Sequence, residues 1–536
     1  MKPARTRPSR KTPADASRIV EVIDETLRDG PQSLWASRVG TETLVAIAPT
    51  VARAGFAEMV VGSGALFEAA VKYLFEDPWE RLRLIRAATP GATLRFLIRG
   101  RNLMGWRRLS NDVIDVFLEC LRRAGIDWIM VFDGLNDMRN IEHHFPAAQK
   151  LGMKVAGIVC FSESPVHTDE YFAARTQDLL AAGVDAVLLY DASGVMTPER
   201  TRTLVPALQR VIGDRAELEL TAHCATGLGH ECLAEGLRLG VRKIFTAGRP
   251  LAYADSIPAT LDMVAHATAL GLETRLDLGR VREVDEYFEW IACAQHKRVP
   301  RPVTYAPDEY RRYVSHQIPG GMMSNMVRQL TDLGLQHRFP EILEEAARVR
   351  REIGYPVMVT PLSQLVGVQA TLNVVEGERY RTIPQELRMY ARGYYGRPAA
   401  PIDPNALDRI LQAGDTPIDP AANFAESYLD RFRAEEGPFA SDEETLLAVF
   451  NSRETLDEFK QRRRPIERMP TLRTPLRSLL AELGGRRAVR SLHIRAGTTL
   501  TFRDAADVLT AVDACPPGYR HHMQRDSLDL TIDKQA

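Results

Sequence analysis

Between residues 18 and about 270, short apolar runs rich in β-branched and aromatic residues alternate with longer stretches whose apolar positions recur at helical spacing. The runs fall at 19–24, 58–62, 94–98, 128–132, 154–161, 186–190, 217–223 and 241–246. Strands that alternate with helices imply parallel βαβ units. Eight of them in about 250 residues is the size of a single (β/α)8 TIM barrel. The punctuation agrees: Ala54-Gly55, Ala124-Gly125, Ala182-Gly183 and Leu239-Gly240 each precede a run, as helix-ending glycines would. The predicted fold class is α/β, with the barrel over residues 18–275.

Past that point the alternation stops. Residues 276–470 read as a mostly helical second domain with Pro- and Gly-rich joints, and Pro-containing breaks near 398–404 and 464–475 mark linkers. Residues 471–536 form a small segment without an assigned role, carrying a helix near 476–483 and strand-like runs at 491–494 and 498–502. Residues 1–17 are basic, rich in Pro and Ser and lack an apolar core. They read as a disordered tail, neither a secretory signal nor a spanning helix.

The chemistry collects where the runs end. In a barrel of this kind those ends open into the active-site mouth. The first run passes into Asp24-Glu25-Thr26-Leu27-Arg28-Asp29-Gly30-Pro31-Gln32, which offers a carboxylate, a cation and an amide. The third leads to Arg99-Gly100-Arg101-Asn102, the fourth to Asp133-Gly134-Leu135-Asn136-Asp137, the sixth to Tyr190-Asp191 and the seventh to Thr221-Ala222-His223. Any one of these could be a structural hydrogen bond, but together they favour an enzyme.

Composition narrows the partners. A formal net charge of −1 over 536 residues gives no electrostatic reason to expect nucleic acid or an anionic membrane. No stretch reaches the roughly 20 apolar residues of a membrane helix. The six cysteines are scattered without a Cys-x-x-Cys pair, as suits a reduced, cytoplasmic protein.

Several longer segments resemble the carboxyltransferase subunits of biotin-dependent 2-oxo acid enzymes: those of pyruvate carboxylase, the oxaloacetate decarboxylase alpha chain and the transcarboxylase 5S subunit. They are Thr26-Leu27-Arg28-Asp29 through Gln32-Ser33, Arg99-Gly100-x-Asn102 and Val131-Phe132-Asp133-x-Leu135-Asn136-Asp137. Beyond the barrel come His316-Gln317-Ile318-Pro319-Gly320-Gly321-Met322, Gly354-Tyr355-Pro356, Val359-Thr360-Pro361-x-Ser363-Gln364, Gly377-Glu378-Arg379-Tyr380 and Arg392-Gly393-x-Tyr395-Gly396. The likeness spans roughly residues 18–470. It implies that carboxyl moves between biotin on a carrier and a small 2-oxo acid such as pyruvate or oxaloacetate. Asp29 would be a metal ligand and Arg28 a catalytic cation. Gln32, Arg99 and Trp106 would line the substrate, and Ser324 would shuttle a proton between substrate and biotin. No biotin-attachment or ATP-grasp region is evident, so the biotin carboxyl carrier protein and the biotin carboxylase are expected on separate chains, with the barrel chain itself a homodimer.

The departures cluster in the site. The family holds a divalent ion (Zn, Mn, Co or Mg) with the aspartate, a carbamylated lysine in Lys-Asp-Met-Ala-Gly and both histidines of His-x-His. Here Tyr190 stands at the lysine position, and Thr221-Ala222-His223 keeps only the second histidine. Asp29 and His223 alone make a poor site for such an ion. The period of two along the seventh run puts Glu219 on the same face as Thr221 and His223, which makes it a candidate replacement ligand; a salt bridge inside the barrel is its competing fate. The family's tyrosine after Arg-Gly-x-Asn-x-x-Gly has become Trp106, and its Gly-Gly-Ala-Thr-Phe-Asp stretch has become Gly62-Ser63-Gly64-Ala65-Leu66-Phe67-Glu68. Two alternatives stay open: a biotin-independent carbon–carbon lyase or decarboxylase on the same barrel, and a non-catalytic partner of a true carboxyltransferase.

Overall fold

The computed structural model describes residues 18–319, 322–323, 326–327, 330–331, 334–419 and 427–466, together with strands at 492–496, 498–502 and 529–532. The N-terminal tail, the helix expected near 476–483 and most of the stretch 464–475 lie outside these residues.

Eight parallel strands close into a barrel: β1 (Ile19–Asp24), β2 (Glu58–Ser63), β3 (Leu94–Arg99), β4 (Trp128–Phe132), β5 (Lys154–Cys160), β6 (Ala186–Asp191), β7 (Glu217–Ala222) and β8 (Lys243–Thr246). Each pairs with the next in sequence, and β1 closes the ring by pairing with β8 on one side and β2 on the other. β2, β4 and β6 are buried along their whole length, as expected of parallel strands sandwiched between a packed interior and an outer ring of helices. The expected strands and the observed ones agree to within about two residues. β7 stops at Ala222, yet His223 N still donates to Asp191 O at 2.9 Å, so the next residue stays in register at the mouth. Gly55 (φ +88°) and Gly240 (φ +95°) end their helices in the left-handed conformation that the sequence calls for there.

The barrel interior is layered. At its base Arg95 donates two bonds to Glu219, at 2.7 and 2.8 Å, and a third to Glu58. Lys243 joins Glu217 at 2.7 Å and Glu58 at 3.2 Å. The Arg95 guanidinium also lies 4.3 Å from the Trp128 ring centroid. Glu219 is therefore consumed by a buried ion pair, and its candidacy as a metal ligand falls. From the third position of β7 its side chain meets the Arg95 fork at the bottom of the barrel. Above this layer Ile23, Val60, Leu97, Met130, Ile158, Leu188 and Phe245 form an apolar belt, topped by Tyr190 and by Val357 and Val359 of the second domain.

Helix Leu278–Ala294 continues the barrel packing past residue 275: Phe288 sits in the barrel core and Tyr287 Oη donates to Thr43 O. The helices that follow, chiefly Phe339–Glu352 and Leu362–Glu376, build a second apolar core around Ile342, Val349, Leu365 and Tyr390. Their joints with the barrel are polar. Arg108 donates to Tyr394 O at 2.6 Å, Asn140 to Tyr395 O at 2.9 Å, and Arg397 N to Asp137 at 2.8 Å. The expected linker at 398–404 is stitched down by Ala400 N to Gly354 O and Asp403 N to Glu352 O, so it works as a strap. Helices Leu429–Glu436, Asp442–Phe450 and Arg453–Arg462 then return to the barrel flank, adding Leu446, Val449 and Phe459 to its outer core.

Replacing Arg95 by methionine should take the guanidinium fork from the fully buried Glu219, leaving Lys243 as the one cation shared by Glu58 and Glu219, and cost about 3–5 kcal/mol, read as a lowered denaturation midpoint. The double replacement Arg95→Leu/Glu219→Leu should recover most of that loss. Equal stability of the single variant and the wild type would contradict the assignment.

Candidate functional site

The chain leaving β1 turns sharply across the mouth and delivers three charged side chains to one place. Arg28 forks onto Glu25, with Nε and Nη2 each 2.6 Å from a carboxylate oxygen, and its Nη1 lies 3.1 Å from Asp29 Oδ1. All three residues are buried. Asp29 collects partners from several segments: Ser33 Oγ at 3.3 Å and His223 Nε2 at 3.4 Å approach Oδ1, and Ser256 Oγ donates to Oδ2 at 2.8 Å. His223 Nδ1 is 2.5 Å from Asp255 O. A carbonyl only accepts, so Nδ1 carries a proton and the chemistry of the ring is left to Nε2. Tyr190 Oη, from the end of β6, lies 3.2 Å from that same nitrogen.

Burial and charge pull against each other here. Burial works against the Asp29 carboxylate, but His223 and Arg28 beside it outweigh burial and hold its pKa well below the usual carboxylate range. Burial likewise pulls the His223 imidazolium down, and Asp29 together with the Asp255 carbonyl outweighs it, so the pKa ends above the ordinary histidine value. Burial pushes the Tyr190 phenol up, which keeps it neutral. It also raises Glu25, an effect that Arg28 offsets in part. Asp191 is pushed up to about 6 by burial although Met196 N donates to it at 2.7 Å. One Asp191 oxygen and the Thr221 hydroxyl are buried without a partner.

The other expected residues stand around this chain of charges. Gln32 turns its amide oxygen to Ser63 Oγ at 2.6 Å, which fixes the orientation of its NH2 group. Arg99, at the tip of β3, is half-buried and held by Asn102 O and Gly105 O at 2.7 Å each. No carboxylate forms an ion pair with it among the described residues. Desolvation pushes its pKa down to about 10, with Glu68 opposing at longer range. Trp106 packs its ring against Tyr395 of the second domain, centroids 5.7 Å apart, and so sits at the domain joint. Ser324 lies outside the described residues.

The structure thus brings Arg28, Asp29, Tyr190, Thr221 and His223 together at the mouth. It adds three partners that sequence reasoning had not assigned. Glu25 had a signal, since it precedes Arg28 by three residues, the spacing at which side chains meet on one turn. Ser256 and Asp255 had none, because they reach Asp29 and His223 from an irregular loop after β8.

The donor set does not suit a divalent ion. Both Asp29 oxygens and both His223 nitrogens are already engaged, the Arg28 guanidinium lies within 3.1 Å of the carboxylate, and a phenol and a hydroxyl stand where charged or nitrogen ligands would be needed. Among the described residues no three His, Cys, Asp or Glu side chains are placed to share an ion. An open groove of about 830 Å³ lies between Leu135–Arg139, Tyr171 and Arg397–Ala399, and none of Arg28, Asp29, Tyr190, Thr221 or His223 lines it.

Comparison with known proteins covers most of the chain. A family described as a conserved carboxylase domain matches residues 314–494. A pyruvate carboxylase subunit of Methanocaldococcus jannaschii is 38% identical over 400 residues, covering 75% of this chain and 70% of that one. The 2-oxoglutarate carboxylase large subunit of Hydrogenobacter thermophilus is 33% identical over 450 residues, with 82% and 68% covered. Among solved structures, the carboxyl transferase domain from Rhizobium etli pyruvate carboxylase with pyruvate superposes with a TM-score of 0.77 at 25% identity, over 91% of this chain and 84% of that one.

The Asp29–His223 pair sets a pH window. Asp29 titrates below its unfolded value, so its contribution is present above the ordinary carboxylate range and is lost on acidification. His223 titrates above its unfolded value, so its contribution is present at lower pH and is lost as pH rises through the raised folded value. The melting-temperature gap between wild type and His223→Asn should therefore be widest at mildly acidic pH and close toward alkaline pH. A gap that ignores pH would contradict the pairing.

Proposed function

Because the chain belongs to the carboxyltransferase family of biotin-dependent 2-oxo acid carboxylases, we propose that its barrel mouth moves a carboxyl group between carrier-borne biotin and a small 2-oxo acid of the pyruvate or oxaloacetate type. The observation that carries this reading is Arg99: a half-buried guanidinium fixed by two backbone carbonyls, with no carboxylate of its own among the described residues. Such a group recognises a carboxylate in a planar, two-pronged manner that lysine does not reproduce.

Each residue then has a task. Arg99 holds the substrate carboxylate. Gln32, with its amide oxygen already committed to Ser63, presents its NH2 to the substrate's oxo oxygen. Arg28, locked by Glu25, supplies fixed positive charge where the enolate oxygen develops, and fixed charge costs no reorganisation during reaction. Ser324 is assigned the proton exchange between enol and biotin. Biotin, when its carrier docks, donates or accepts the carboxyl. The protein works with a biotin carboxylase and a biotin carboxyl carrier protein, as a cytoplasmic homodimer. Five unpaired cysteines among the described residues, four of them buried, support the reducing compartment, and the exposed Val368 and Val375, seven residues apart on one helix, support an apolar contact between copies.

Purified chain mixed with carboxylated biotin carrier and pyruvate should form oxaloacetate, and avidin should stop it. Turnover that ignores avidin would favour the biotin-independent lyase, and absence of turnover with co-purification of an intact relative would favour a non-catalytic partner. The substitution Arg99→Lys should raise KM for the 2-oxo acid by about ten-fold or more, about 1.4 kcal/mol, with a smaller change in kcat. Unchanged KM would remove Arg99 from the clamp role.

A further inference from the structure

The two substitutions that spoil the ion site are neighbours. Tyr190 and Thr221 are Cα partners in the β6–β7 register, side by side at the top of the barrel. Tyr190 sets its hydroxyl 3.2 Å from His223 Nε2, the nitrogen that an ion between Asp29 and His223 would need. Thr221 Oγ1 is buried beside it with no partner. An unsatisfied buried hydroxyl is costly and calls for a partner, and at a barrel mouth a polar atom of a bound substrate can be that partner. Arg28, 3.1 Å from the Asp29 carboxylate, already supplies that carboxylate with a cation.

We propose that the ion's position in this barrel is filled by the protein itself, and that the Tyr190 and Thr221 hydroxyls, with Arg28, hold the substrate's oxo oxygen in place of a divalent metal. This rests on the carboxyltransferase reading and goes beyond it by naming what polarises the carbonyl. In the decarboxylation direction the bond between C3 and the carboxylate of oxaloacetate breaks, CO2 leaves, and the electron pair becomes the C2–C3 double bond as the C2 carbonyl pair moves onto oxygen. That oxygen, now an enolate, accepts hydrogen bonds from the Tyr190 O–H, the Thr221 O–H and a remaining Arg28 N–H. The bond cleavage itself moves no proton onto it; the exchange with biotin is a separate step. Donors held in a dry site act most strongly where charge appears during reaction. Glu25 keeps the guanidinium from swinging away, and Asp29, with Ser256 and Ser33, holds His223 beside the phenol.

The test has two independent arms on the full chain. In the first, protein produced with added ZnCl2, MnCl2 and CoCl2 is assayed for bound metal, and its melting temperature is followed with each salt and with EDTA. Substoichiometric metal and an unmoved melting temperature are expected. A stoichiometric ion that Asp29→Ala releases would overturn the proposal. In the second arm, oxaloacetate decarboxylation and calorimetric binding of oxamate, a planar pyruvate isostere, are measured for wild type, Tyr190→Phe and Thr221→Val. Loss of one such donor should lower kcat by about a hundredfold with KM for oxaloacetate changed little, because the donor acts on charge that develops in the transition state. Unchanged kcat in both variants, or equal losses in kcat and in the fraction of folded protein, would overturn it. If wild type bound no oxamate and turned over no oxaloacetate, the carboxyltransferase reading would fall, while the metal assay would still decide the ion's replacement.

Discussion

The first strand carries two obligations at once, and the rest of the molecule is arranged around both. It closes the sheet, lying between β8 and β2 with four and two paired Cα positions respectively, and its C-terminal extension supplies Glu25, Arg28 and Asp29 to the mouth. Closing a barrel fixes the tilt and stagger of every strand. Once β1 is seated, the ends of β6 and β7 have no freedom in where they place Tyr190 and His223. The site is therefore a by-product of closure. Side chains that are distant in the chain, such as Asp29 and Ser256, meet at 2.8 Å because the ring of strands leaves them nowhere else to go.

Two buried ionic assemblies occupy the barrel, and they are built on different terms. At the base, the Arg95 fork and Lys243 find carboxylates on all sides, an arrangement that fills space and fixes register. At the mouth, Arg28 is satisfied, yet the Thr221 hydroxyl and one Asp191 oxygen are left over. The base closes all its own valences, whereas the mouth leaves some open at the end of the cylinder where substrates enter such barrels.

How far the chain could be read in advance depended on the range of each interaction. The strands and their helix-ending glycines were legible because they are local: a run of β-branched residues after Gly55 or Gly240 needs no partner to be recognised. The placement of Arg28, Asp29 and His223 followed from period and topology. Glu219 could not be resolved that way, because strand period puts it on the inner face without saying whether its height matches the mouth or the base. Only the position of Arg95, more than a hundred residues away in sequence, decides that. Asp255 and Ser256 lie in a loop with no periodicity at all, so nothing local distinguishes them from any other polar turn.

The second domain is tied to the barrel at both of its ends. It leaves through helix Leu278–Ala294, rooted in the barrel core by Phe288, and rejoins through Tyr428 and Leu429, whose backbone N–H groups both reach Asp112 at 2.7 Å. Polar rivets at Tyr394, Tyr395 and Arg397 hold it between those roots. A body pinned this way has no axis about which to swing, so any gating of the mouth falls to short segments at the seam, and the two cores should come apart together rather than in turn.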